Sequence, residues 1–132
     1  MTLDLAKICI EVTHIAKKTA AYIQGERGKL TKDQVEVKGL NDFVTRVDKT
    51  SEKYIVEALD LLVEGAGFIA EENTKPERGS TYNWIIDPLD GTTNFIHGIP
   101  CYCISIALME NDQIVVGVIY ELNLKECFYA WK

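Results

Sequence analysis

The sequence lacks the features that mark secreted, membrane-spanning and nucleic-acid-binding proteins. Nowhere do about eighteen apolar residues run together, and residues 1–7 carry no basic leader followed by a continuous apolar stretch. Its 14 Lys and Arg are outnumbered by 20 Asp and Glu, giving a net charge of −6, whereas binding to a phosphate backbone needs clustered positive charge. We therefore expect a soluble cytoplasmic protein that binds neither nucleic acid nor membranes.

Cysteine is also scarce, and none of the 4 cysteines forms a C-x-x-C pair with metal-site spacing. Cys101 and Cys103 would share one face of a strand, where we expect them to be small core residues, with a redox role as the alternative. No internal repeat or low-complexity run occurs in the 132 residues, of which 47% are hydrophobic. These values predict one domain over residues 1–132 with a sizeable core.

Helical periodicity dominates the first half of the chain. Apolar residues recur every three or four positions over 2–26, which predicts an amphipathic helix. Residues 29–40 are polar and contain glycine, so we expect a loop there. Thr45 and Asp48 have the spacing of a capping box, which predicts a second helix continuing from there to Gly65.

Strand-like patterns dominate the second half. The turns at 110–113 and 121–125 suit hairpins, so the later strands are expected to be antiparallel neighbours. The result is an α+β fold in which two helices pack on a mostly antiparallel sheet. The predicted strands are 68–70, 82–87, 101–109, 114–120 and 126–131.

The most informative motif is the run W-I-I-D-P-L-D-G-T-T-N-F at 84–95. Pro88 fixes its own φ and lacks a backbone donor, so we expect the chain to turn there and bring the carboxylates of Asp87 and Asp90 together. Oxygen ligands of this kind are the ones that Mg²⁺ prefers. The alternative is that both aspartates only form turns.

Gly91, Thr92 and Thr93 follow these carboxylates directly. Glycine lets a backbone approach a ligand closely, and the two threonines can open a helix whose free N–H groups point at an anion. The motif therefore predicts a phosphate site beside a metal site, although a plain helix N-cap is also compatible with these residues.

With these residues in view, the chain resembles the inositol monophosphatase family, whose signature D-P-(L/I)-D-G-T-T-N-F is matched residue for residue at 87–95. Further acidic elements at 70–72 and 41–48 stand in the same order as in the family. The resemblance covers the amino-terminal half of a family member and implies the first layers of an α-β-α-β-α sandwich.

The resemblance also implies a two-metal site. Glu71, Asp87 and the backbone carbonyl of Leu89 would bind a first Mg²⁺, while Asp87 and Asp90 would contribute to a second. Such a site supports hydrolysis of phosphate monoesters by a metal-activated water.

Catalytic roles follow from the same resemblance. Glu71 would act as the base for the attacking water, Thr92 would share that water, and Asp48 would orient Thr92. A helix-entry carboxylate is the competing interpretation of Asp48. Lys38 matches a lysine near the family's metal site, but a solvated lysine is the alternative.

The expected substrate is inositol monophosphate, with fructose 1,6-bisphosphate or another sugar phosphate as the alternative. Family members are commonly homodimers inhibited by Li⁺. We expect a homodimer or larger assembly here, and Li⁺ inhibition only if turnover exists. The later W-D-x-A-A-G-like motif of the family, which completes the second metal site, does not occur in the 132 residues. A non-catalytic metal- or phosphate-binding module that assembles with a partner chain is therefore the other function class that we consider.

Overall fold

A computed structural model describes residues 2–29, 37–75 and 77–132, with the side chains of 37 and 38 excepted. The described helices are α1 (Leu5–Gly28), α2 (Val37–Leu59) and α3 (Thr92–His97). The described strands are β1 (Gly67–Ala70), β2 (Tyr82–Asp90), β3 (Cys103–Glu110), β4 (Gln113–Glu121) and β5 (Glu126–Trp131). None of the described helices has the length and apolar character needed to cross a membrane.

The first predicted helix is confirmed, with small changes at its ends. Asp4 is the N-cap of α1, and its side chain accepts a hydrogen bond from the Lys7 backbone N–H at 3.1 Å. One face of α1 is buried over its whole length, including the fully buried Val12, Ala16 and Ile23. The 3.6-residue periodicity therefore correctly identified the face that packs on the core.

The start of the second helix was predicted wrongly. Helix α2 begins at Val37, so 37–40 are helical rather than part of the predicted loop, and 30–36 lie outside the described residues. Thr45 and Asp48 are consequently in the middle of α2, and the capping-box interpretation of Asp48 is wrong. Capping needs free N–H groups, and those occur only in the first turn of a helix.

The five strands form one sheet in the order β1-β2-β3-β4-β5. β1 pairs with β2 in parallel, and every later neighbouring pair is antiparallel. The hairpin turn between β3 and β4 includes Asn111 at φ 52°, a left-handed conformation that asparagine tolerates better than most residues. The predicted hairpins and the mostly antiparallel sheet are confirmed.

Helices α1 and α2 cover one face of this sheet, which makes the fold α+β as predicted. The side chains of β3 show the arrangement: Ile104, Ile106 and Leu108 are buried, while the alternating Ser105 and Ala107 are only half-buried. α1 contacts β4 and β5, and α2 contacts β2. The core therefore lies between the helices and one sheet face, and the acidic motif lies at one end of that sheet.

Candidate active site

A β-bulge places the two aspartates of the motif on the same face of the sheet. β2 continues through Pro88 instead of turning there, and its pairing with β3 is irregular between Asp87 and Asp90. Asp87 is opposite Ser105, and Asp90 is opposite Cys103. Because residues two apart on β3 share a face, their partners on β2 share one too. The extra residue of the bulge thus places Asp87 and Asp90 on one face, as we had expected a turn to do. Pro88 lies within the bulge, which is a position where a strand tolerates proline.

Glu71 joins this pair from the neighbouring strand. Ala70 is opposite Ile86 in the parallel β1–β2 pair, so Glu71 follows at the level of Asp87. The Glu71 and Asp87 carboxyl groups are close enough for each to affect the pKa of the other. Burial raises the pKa of Glu71, and the nearby Asp87 and Glu72 raise it further. Burial also raises the pKa of Asp87, against the opposing effect of a hydrogen bond from the Leu89 N–H.

Asp48 approaches the same cluster from α2. It is only 7% exposed, and its Oδ1 atom has no hydrogen-bond partner within the described part of the chain. Burial, followed by the negative charges of Glu71, Glu72, Asp87 and Glu52, raises the pKa of Asp48 to about 7. One helix and two strands therefore bring together carboxyl groups that repel each other when ionised.

The motif opens a short helix, α3, as predicted. Gly91 is its N-cap at φ 93° and provides no side-chain cap. A Cβ atom at this position would stand 2.9 Å from the Cys101 carbonyl oxygen, so the site requires glycine for both conformation and space. Thr92 is half-buried and Thr93 is exposed, immediately after the aspartates.

Thr92 and Leu89 are linked directly. The Thr92 hydroxyl donates a hydrogen bond to the Leu89 carbonyl oxygen at 3.1 Å, and the Leu89 side chain is buried. A hydroxyl has a single hydrogen to donate, so in this arrangement Thr92 does not donate to Asp48. The role of Asp48 in orienting Thr92 stays a prediction, as do the other assigned roles.

Sequence reasoning missed one acidic residue, Glu52. Its side chain is completely buried, and it accepts hydrogen bonds from the Glu72 N–H at 2.8 Å and the Thr74 N–H at 3.0 Å. A signal was present, because Glu52 is four residues after Asp48 and so lies on the same face of a helix.

The two cysteines beside the site do not behave as predicted. Cys101 is exposed and precedes β3, so the expectation that it is a core residue is wrong. Cys103 is half-buried, and its Sγ atom lies 3.9 Å from Asp90 Oδ2. Burial and the Asp90 carboxylate raise the pKa of Cys103 to about 11, which keeps this thiol protonated near neutral pH.

The donor chemistry fits a hard divalent cation, although the ligands are not arranged around one. Within residues 2–29, 37–75 and 77–132, no three His, Cys, Asp or Glu side chains stand at metal-ligating geometry. Nonetheless, the carboxylates of the site offer oxygen ligands, and the pKa values of Asp48, Glu71 and Asp87 are raised. In addition, the Oδ1 atom of Asp48 has no hydrogen-bond partner among the described residues. Such groups fit Mg²⁺ or Ca²⁺ better than a softer metal. The Lys38 side chain, predicted near this site, lies outside the described residues.

Comparisons with known proteins identify the family to which this sequence and sheet correspond. A sequence model of the inositol monophosphatase family matches residues 4–132. An inositol-1-monophosphatase of Mesorhizobium japonicum is 41% identical over 114 residues, which cover 86% of this chain and 43% of that protein. A fructose-1,6-bisphosphatase/inositol-1-monophosphatase of Aquifex aeolicus is 39% identical over 112 residues, covering 84% of this chain and 42% of that one.

The structural comparison gives the same answer. The solved structure of an inositol monophosphatase from Anabaena superposes with a TM-score of 0.76 at 33% sequence identity, covering 97% of this chain and 43% of that chain. The α+β fold with its acidic strand ends is thus that of a known class of phosphatases. The chain belongs to the inositol monophosphatase family, and it spans less than half the length of the relatives that it matches.

Proposed function

We propose that the chain forms the metal- and phosphate-binding part of a Mg²⁺-dependent phosphatase that hydrolyses a small phosphate monoester. The observation that carries this proposal is the convergence of Glu71, Asp87 and Asp48, whose pKa values are all raised. Bringing carboxyl groups together in a partly buried place is unfavourable unless protons or cations neutralise them. A plain turn at Asp87 and Asp90 would not require Glu71 or Asp48 as well.

The chain offers a ligand set for two cations. Glu71, Asp87 and the Leu89 carbonyl would hold one Mg²⁺, and Asp87 with Asp90 would contribute to a second. A carbonyl oxygen has two lone pairs, so the hydrogen bond from Thr92 to Leu89 leaves one for a cation. When bound, Mg²⁺ supplies Lewis-acid activation of the phosphoryl group and of water.

The remaining roles belong to groups of the chain itself. Glu71 would accept the proton of the attacking water, and its raised pKa brings it closer to the neutral range in which a general base is most effective. The backbone N–H groups after Gly91, at Thr92 and Thr93, would hold the phosphate oxygens. Thr92 would also share the attacking water, and Asp48 would fix its orientation.

The proposed substrate class is a small phosphorylated polyol or sugar. The names of the relatives support inositol monophosphate first and fructose 1,6-bisphosphate second. We also propose that the protein assembles as a homodimer, does not bind nucleic acid or membranes, and is inhibited by Li⁺ when it turns over substrate. Its net charge of −6 agrees with the exclusion of nucleic acid.

A non-catalytic metal- or phosphate-binding module is the second candidate. The described residues contain no three-ligand group at metal-binding geometry, and this weighs more against a preassembled two-metal catalytic site than against binding of phosphate or of a single cation within an assembly. A module of this kind would bind cation or phosphate and act only within an assembly.

Phosphate release separates the two candidates. Release from inositol 1-phosphate and from fructose 1,6-bisphosphate would be measured with Mg²⁺ and with a chelator, for the chain and for Glu71→Gln. Mg²⁺-dependent release that is lost in Glu71→Gln supports the phosphatase. Calorimetric Mg²⁺ binding without any release favours the module, and absence of both rejects the metal site.

A further inference from the structure

Glu52 is a buried carboxylate whose hydrogen bonds all go to the loop that follows β1. Its Oε1 atom accepts the Glu72 N–H at 2.8 Å, and its Oε2 atom accepts the Thr74 N–H at 3.0 Å and the Thr74 hydroxyl at 2.5 Å. Its side chain is 0% exposed. Helix α2 is thereby connected to residues 71–74 through one acidic side chain.

Burial of a carboxylate is costly unless hydrogen bonds compensate for the lost water. Here both oxygens are engaged, and two of the three donors are backbone N–H groups flanking Asn73. Asn73 has φ 52°, a conformation that is uncommon outside glycine. The buried carboxylate therefore selects one backbone path for the loop, and the loop begins with Glu71.

We infer that Glu52 is a positioning residue of this site: by holding the loop 71–74 against α2, it sets where the Glu71 carboxylate stands relative to Asp87. The inference rests on the proposed metal-dependent function, because Glu71 is a proposed ligand and base there. Glu52 acts through the backbone of Glu72 and has no assigned contact with substrate or metal.

The negative charge of Glu52 is unfavourable at this position, so its role is explained by its hydrogen-bonding geometry. Glu52 adds one more negative charge near Asp48, Glu71 and Asp87, which makes their own ionisation less favourable. A neutral side chain would avoid this cost, but an amide cannot accept hydrogen bonds at both of its ends. Only a carboxylate satisfies the donors at both Glu72 and Thr74.

The test compares Glu52→Gln with a matched core substitution in the same helix. Ile55 is fully buried in α2, and Ile55→Val shortens an apolar side chain without removing a hydrogen bond. Groups that orient metal ligands typically contribute about 10–100-fold to metal affinity. We expect Glu52→Gln to weaken Mg²⁺ binding, measured by calorimetry, about tenfold or more, and Ile55→Val to leave it unchanged.

A double-mutant cycle tests whether Glu52 acts through Glu71. In the Glu71→Gln background, Glu52→Gln should cost much less affinity than it does in the wild type. An undiminished loss would mean that Glu52 acts on the site by its charge alone, which would overturn the positioning role. Thr74→Val removes only the hydroxyl donor and should weaken Mg²⁺ binding less than Glu52→Gln does. It replaces Glu52→Gln as the test variant if Glu52→Gln does not fold.

Amide hydrogen exchange separates failure of this inference from failure of the proposed function. Glu52→Gln should speed exchange at Glu72 and Thr74, whether or not metal binds. If the wild type binds no Mg²⁺, the proposed function is rejected, and faster exchange at these two amides still supports the positioning of the loop. If the wild type binds Mg²⁺ and Glu52→Gln binds it equally well, the proposed function stands and the inference is overturned.

Discussion

Glu71 directly follows β1 and stands at the level of Asp87 on the adjacent parallel strand β2, where each carboxyl group affects the pKa of the other. Burial raises the pKa of both carboxyl groups. Protons and a divalent cation would therefore compete for these carboxyl groups. Proton release on metal binding is the general consequence of this competition.

Asp87 is the residue whose loss should weaken Mg²⁺ binding most, since it is expected to touch both cations. The loss in Asp87→Asn should exceed about 100-fold, the upper range for residues that only orient a ligand. Calorimetric titration of the chain would measure it. Asp112→Asn, in an exposed turn, provides the matched control and should bind as the wild type does. Equal affinities of Asp87→Asn and the wild type would reject the ligand assignment.

The free energy of unfolding of the metal-free chain should fall as pH rises between about 4 and 7. The pKa of Asp48 is raised from 3.8 to about 7, so the folded state binds more protons than the unfolded state in this window. One such group contributes a slope of at most ~1.4 kcal/mol per pH unit. The raised pKa values of Glu71 and Asp87 act in the same direction.

Asp48→Asn should flatten this pH dependence, because an amide carries no proton equilibrium. Urea unfolding at several pH values in the presence of a chelator would measure the slope. Parallel curves for Asp48→Asn and the wild type would show that Asp48 does not carry the shift. Asp112→Asn again serves as the control and should leave the slope as it is.

Several features of the fold were predictable from local sequence patterns. Helix α1 and the hairpins followed from local periodicity and turn residues, and the motif at 87–95 identified the family. The start of α2 was missed because its first turn, at 37–40, contains Gly39, a poor helix former, and is too short to show a helical periodicity by itself. Because the helix start was placed too late, Asp48 was wrongly interpreted as a capping residue.

The bulge in β2 could not be predicted from the motif alone. A proline between two aspartates fits a turn as well as a bulge, and only the register against Ser105 and Cys103 decides between them. Glu52 was overlooked for a similar reason, since its partners Glu72 and Thr74 are distant in sequence. The spacing from Asp48 placed Glu52 on the right helix face, but these contacts themselves come from tertiary packing.

Gly91→Ala should destabilise the chain and impair binding of inorganic phosphate in the presence of Mg²⁺. Gly91 has φ 93°, a region that costs a residue with a Cβ ~1–2 kcal/mol, and the added atom would stand 2.9 Å from the Cys101 carbonyl oxygen. Thermal unfolding and calorimetric phosphate titration would measure the two effects.

The matched control for this prediction is Gly25→Ala in α1. A Cβ at Gly25 meets nothing within 4 Å, and alanine in a helix interior is about 0.5–1 kcal/mol more favourable than glycine. Gly25→Ala should therefore raise the melting temperature and leave phosphate binding unchanged. A Gly91→Ala variant as stable as the wild type would contradict the strained conformation at this position.

The uncovered face of the sheet should cause the chain to self-associate. Phe128 is 59% exposed and Ile119 is 46% exposed, and they are direct cross-strand neighbours on the face away from the helices. β5 is also the last strand of the sheet, so its outer edge has no partner strand among the described residues. Exposed apolar patches and open strand edges both favour contact with another chain. We expect a dimer or larger assembly at micromolar concentration in sedimentation equilibrium.

Phe128→Ser should shift this equilibrium toward the monomer. Truncation of a central aromatic residue in an interface typically costs about 2 kcal/mol or more of binding free energy, which raises the dissociation constant more than about tenfold. Leu61→Ser is the matched control, since Leu61 is 88% exposed but follows α2 and lies outside the sheet. If Leu61→Ser dissociated the assembly equally, general apolar exposure rather than the sheet face would be responsible. A compact wild-type monomer at every concentration would mean that this face does not drive association, and the proposed homodimer would then need a different surface.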